Sequence, residues 1–79
     1  MEPIIKVLEP FPYIKVIKVY EPQMMNNRII SFLVKINDCF TKIDLDDEGN
    51  WQKADALDKY PVEVLHFIYK QIELKYSQG

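Results

Sequence analysis

Seventy-nine residues, 48% of them hydrophobic and 13% aromatic, suffice for one folded domain and leave no room for a second. Ten basic against twelve acidic residues give a formal charge of −2, which favours no partner class over the chain as a whole. Cys39 is the only cysteine, so an intrachain disulfide is excluded, and no apolar run approaches the roughly 18 residues of a membrane-spanning helix. With no signal-peptide pattern at the N-terminus, these features predict a cytoplasmic protein without a membrane partner.

In chain order, the first predicted elements are strands near 4–8 and 13–20. They carry a repeat. Ile-Ile-Lys-Val-Leu-Glu-Pro at Ile4–Pro10 returns as Val-Ile-Lys-Val-Tyr-Glu-Pro at Val16–Pro22, with five of seven positions identical. β-Branched residues around one lysine suit a strand. Glu-Pro reads as its stop, because proline offers no N–H to a sheet ladder and restrains the residue before it. The connector Glu9-Pro10-Phe11-Pro12 is too short for a parallel crossover, so the two strands are antiparallel neighbours. Ile4 and Ile5 are adjacent, as are Val16 and Ile17, so these strands are apolar on both faces. Gln23–Arg28, with its Asn26-Asn27 pair, reads as the loop that follows.

The next two strands, near 29–36 and 39–45, flank Asn37-Asp38, a pair that tolerates the positive φ of a two-residue hairpin turn. Closing the turn sets Ile36 opposite Cys39, Val34 opposite Thr41, Phe32 opposite Ile43 and Ile30 opposite Leu45, all on the core side. Ser31, Leu33, Lys35, Phe40, Lys42 and Asp44 fall on the other side. Asp46–Asn50 is a turn cluster, and residues 51–53 read as a short final strand. Pro61 suits the first turn of a helix near 61–76. There Val62, Leu65, Ile68, Tyr69, Ile72 and Tyr76 recur at three and four residues, opposite a polar stripe of Glu63, His66, Lys70 and Glu73. Strands first and helix last predict an α+β domain spanning residues 1–79. Its architecture is an antiparallel four- to five-stranded meander with one C-terminal helix on one sheet face.

No constellation of catalytic groups stands out, so the expectation is a non-enzyme without cofactor or metal. Residues 44–58 hold Asp44, Asp46, Asp47, Glu48, Asp55 and Asp58 against Lys53, whereas residues 1–43 hold six bases against four acids. Asp44, Asp46, Glu48, Gly49 and Asp55 occupy the first, third, fifth, sixth and twelfth positions of a would-be calcium loop. Its fifth position is normally Asp or Asn, its twelfth normally Glu, and its flanks should be helical. The reading is therefore a solvated turn. His66 has only Glu63 beside it as a second ligand on the helix, and the hairpin register turns Cys39 toward the core as a structural thiol.

The surplus of apolar surface points toward binding. A helix of about 16 residues is about 24 Å long and covers one face of a small sheet. Leu33 and Phe40 on the outer sheet face, and Phe67 and Leu74 on the helix, are then left as partner-binding candidates. Loops 21–28 and 51–60, carrying Met24, Met25 and Trp51, are the segments that could cover them. The expected role is a small non-catalytic intracellular protein–protein interaction module, self-associating as a homodimer or binding another protein. The rival is single-stranded nucleic acid held by Lys35, Lys42 and Phe40, with Lys15 or Lys18 joining them.

Overall fold

The computed structural model describes residues 2–52 and 59–77. Five strands precede one helix: β1 (Ile5–Phe11), β2 (Ile14–Val19), β3 (Gln23–Met25), β4 (Arg28–Ile36), β5 (Cys39–Asp44) and α1 (Val62–Ser77). This is the expected α+β class, an antiparallel sheet followed by a C-terminal helix. β1, β2, β4 and β5 lie side by side as a meander. β3 pairs with the same edge of β4 that β2 occupies, because Ser31 of β4 faces Gln23 on one side and Asp44 on the other.

The two Glu-Pro pairs act differently: the second follows the end of its strand as the sequence suggested, the first does not. Glu9-Pro10 lies inside β1, where Glu9 takes a φ of 51° and the register with β2 shifts between Leu8 and Phe11. β1 is the sheet edge, so Pro10 removes no hydrogen bond the sheet needs, and the extra residue is absorbed as a bulge. The turn to β2 is Pro12-Tyr13, closed by the Phe11–Ile14 pair. Glu21-Pro22 does interrupt β2, but pairing resumes at Gln23 as β3. Segment 21–28 is therefore a second hairpin rather than a loop. Its turn residues Asn26 and Asn27 have φ values of 52° and 62°, the two positive angles that a type I′ turn requires.

Register between β4 and β5 is as the hairpin predicted, from Ile36–Cys39 through Phe32–Ile43. The Asn37-Asp38 turn also clamps the neighbouring strand. Asn37, at φ 55°, donates its backbone N–H to the Val16 carbonyl at 2.9 Å. Its Oδ1 accepts from the Lys15 N–H at 2.7 Å and the Val16 N–H at 3.4 Å. Asn37→Ala removes that acceptor and places a β-carbon in the left-handed region, so a loss of about 2 kcal/mol in urea denaturation is expected. Asn37→Gly keeps the backbone angle and isolates the side-chain part; equal stability of Asn37→Ala and the parent would refute the clamp.

The core lies between the sheet and α1. Ile17, Val19, Phe32, Val34, Ile36 and Ile43 meet Val64, Ile68 and Ile72, all buried. On the helix the buried line runs through Val64, Ile68 and Ile72, while Val62 is 63% exposed, so the apolar stripe is rotated from the one expected. Val62 is the first helical residue. Val64 is held in the first turn, where its N–H donates to the Pro61 carbonyl at 3.0 Å. Ile30 faces Leu45 by register, and its carbonyl accepts from the Leu45 N–H at 2.9 Å. Yet Ile29, not Ile30, packs on the core. The cause is a register shift of β4 against β3 between Gln23 and Met24, which exchanges faces at this end of the strand.

The expected strand at 51–53 reduces to one isolated bridge, Leu45–Trp51, with Lys53 outside the described residues. Trp51 instead closes the open end of the core. Its ring stacks on Tyr69 at 4.6 Å, lies 5.9 Å from Phe32, and its Nε1–H donates to Glu73 Oε2 at 3.1 Å. At the opposite end of α1, Tyr13 O–H donates to Glu63 Oε1 at 2.8 Å and ties the β1–β2 turn to the helix start. That hydrogen bond, more than desolvation, raises the Tyr13 pKa; for Tyr69 and Tyr76, burial is the leading cause of the same upward shift.

Candidate binding face

The side of the sheet away from α1 follows from strand alternation. On β1, β2, β4 and β5 the residues between the buried positions are Lys6, Lys18, Lys35, Leu33, Phe40 and Lys42. Register then lines up the lysines. Lys6 is the direct partner of Lys18, Lys18 is the direct partner of Lys35, and Lys35 is the direct partner of Phe40. Strands lie about 4.8 Å apart, so three ammonium-bearing side chains rise from positions spanning roughly 10 Å.

The origin of this row is the sequence repeat. Its two copies pair about their central lysines: Ile5 with Val19, Lys6 with Lys18, Val7 with Ile17 and Leu8 with Val16. A duplicated strand folded back on its copy must place equivalent residues opposite one another. Like charges directly opposed across a ladder are destabilising, and none of these lysines forms an ion pair among the described residues.

Apolar residues border the row on both sides. Leu8, 67% exposed, faces Val16 on one flank. On the other, Tyr20 donates its N–H to the Leu33 carbonyl at 2.9 Å, and Leu33 faces Lys42. Phe40 is 54% exposed but not open on both ring faces: Lys35 Nζ lies 5.1 Å from its centroid and the Tyr20 ring 6.0 Å away. On β5 the carboxylate of this face is Asp44, beyond Lys42 and opposite Ser31.

The partner-binding candidates separate into different places. Leu33 and Phe40 share the outer sheet face with Lys35 and Lys42, so those four are brought together. Phe67 is half-buried under the β1–β2 end, with its ring 5.5 Å from Phe11 in an edge-on contact. Leu74 is 46% exposed on the helix, on the far side of the sheet from Leu33 and Phe40. Lys18 belongs to the row, whereas Lys15, of opposite parity along β2, does not. Met24 and Met25 remain about half exposed on β3, and Trp51 packs on the core side. Expected cover from 51–60 rests in part on residues 53–58, which lie outside the described residues.

The remaining candidates resolve locally. Cys39 is exposed, correcting the expectation of a buried thiol. It starts the edge strand β5 directly after the turn, so facing Ile36 does not enclose it. Asp46 Oδ1 accepts from the N–H groups of Glu48 at 2.9 Å and Asn50 at 2.8 Å. Gly49, at φ 83°, donates to the Asp46 carbonyl at 3.0 Å. The central carboxylate of the acidic loop is thus spent on the turn itself. Arg28 reaches the same loop, donating to the Asp47 carbonyl at 3.2 Å and to its Oδ1 at 3.1 Å, an exposed contact worth little energy. Asp55 lies outside the described residues. Among the described residues no group of three or more His, Cys, Asp or Glu could hold a metal ion, and no helix is long and apolar enough to cross a membrane.

Compared with known proteins, the chain matches no family model, no curated protein and no solved structure.

Proposed function

We propose that this chain is a small non-catalytic interaction module whose outer sheet face docks an anionic surface of another macromolecule. The observation that carries this reading is the row Lys6–Lys18–Lys35, continued by Phe40 and bordered by Leu8, Val16, Leu33 and Lys42. Concentrated positive charge with no ion pair among the described residues, set among apolar groups of which Leu8 and Phe40 are exposed, is a surface for a complementary partner. Self-association by stacking two such faces across a two-fold axis is disfavoured, because it would bring the two lysine rows together.

The test uses an immobilised polyanion, heparin, and the intact chain. Despite the formal charge of −2, the chain should be retained at low salt and released as salt screens the row. Replacing Lys6, Lys18 and Lys35 together by Gln should abolish retention while the circular dichroism spectrum stays unchanged. Flow-through of the parent chain, or equal retention of the folded variant, would remove the basis for the proposal.

A further inference from the structure

Resting on that reading of the face, we infer that its occupant is an amphipathic acidic helix of a partner protein, laid across the strands along the lysine row. The spacing is the first argument. Neighbouring strands place the lysines about 4.8 Å apart, and carboxylates three or four residues apart on a helix rise by about 4.5–6 Å. An extended segment presents same-side groups about 6.7 Å apart and falls out of step over three lysines.

The borders are the second argument. Beyond the row, the apolar residues are Leu8 and Val16 on one flank and Leu33 on the other, backed by the buried Tyr20. A helix with a central acidic stripe between two apolar lines meets all three zones at once. It also covers the second side of strands whose first side is already packed against α1. The sheet would then lie between two helices.

Single-stranded nucleic acid fits the same face less well. Stacking needs an open aromatic plane, and Phe40, the exposed ring of the row, already has Lys35 and Tyr20 against it.

The experiment titrates the full chain, followed by amide NMR, with three probes. The first is a synthetic helical peptide of about 18 residues with a glutamate stripe between two leucine lines. The second has the same composition with the glutamates spread around the helix. The third is an oligouridine of about 12 nucleotides. The inference expects the first peptide to shift the amides of Leu8, Val16, Lys18, Leu33, Lys35 and Phe40. It should bind at least tenfold more tightly than the second and lose that advantage against Lys18→Glu. Equal binding of both peptides overturns the helix while leaving the anionic-surface reading in place. Binding of the oligonucleotide alone does the same and reassigns the ligand class. If none of the probes shifts the face, and heparin does not retain the chain, the parent reading falls as well.

Discussion

Phe32→Ala should be the most destabilising single truncation in the core, costing about 3–5 kcal/mol. Phe32 is 2% exposed, pairs with Ile43 across the hairpin, and lies 5.9 Å from both Trp51 and Tyr76. Truncating a buried phenylalanine costs about 3–5 kcal/mol, the lost transfer energy plus the cavity left behind. A chain of 79 residues has a total stability of roughly 4–12 kcal/mol, so that single cavity removes a large fraction of it. The site is also slow to collapse around a void, because its neighbours are a tryptophan tied to Glu73 and helix side chains fixed by Ile68 and Ile72. Urea denaturation read by circular dichroism gives the answer. A loss under about 1 kcal/mol would mean that the core is not centred on this ring.

Lys18→Glu should move stability and binding in opposite directions. Lys18 stands directly between Lys6 and Lys35, so the substitution converts two like-charge cross-strand pairs into two opposite-charge pairs. Each such pair is worth roughly 0.2–1 kcal/mol, and a gain of about 1 kcal/mol in low salt is expected. Added salt should shrink that gain, since both the relieved repulsion and the new attraction are screened. Retention on a polyanion should fall at the same time. A destabilised variant, or a stabilised one that still binds as well as the parent, would sever the link between the row and the proposed role. Stability given up at a binding surface is the usual signature of a site kept for something other than folding.

Much of the fold was legible because it depends on local rules. Asn37-Asp38 and the apolar alternation around it set the β4–β5 register, and Pro61 with its periodic run set the helix. Where reading failed, a non-local choice decided. Glu-Pro looked like a strand stop in both copies; it is one after β2, but the sheet edge tolerates Pro10 within a bulge, and β4 offers an unpaired stretch on which the chain resumes after Pro22. Nothing in residues 21–28 alone reveals that edge. The rotation of the helix stripe onto Val64 depends on how α1 settles against the sheet. Of the face, Lys35, Lys42 and Phe40 were readable from the hairpin, while Lys6 and the place of Lys18 beside Lys35 were missed. A signal was present: a repeat with a lysine at its centre, joined by a connector that enforces antiparallel pairing, implies that the two lysines meet.

The stacking of Trp51 on Tyr69 at 4.6 Å gives the molecule a built-in optical reporter. Trp51 is the chain's single tryptophan; its stacking on Tyr69 and its hydrogen bond to Glu73 run to α1, while its ring also lies 5.9 Å from Phe32 of β4. Its emission therefore registers whether the helix is seated on the sheet. A ligand on the opposite side of the sheet should leave that emission almost unchanged, whereas any event that lifts α1 should shift it to the red. Fluorescence of the unmodified chain can thus separate docking on the lysine face from opening of the core.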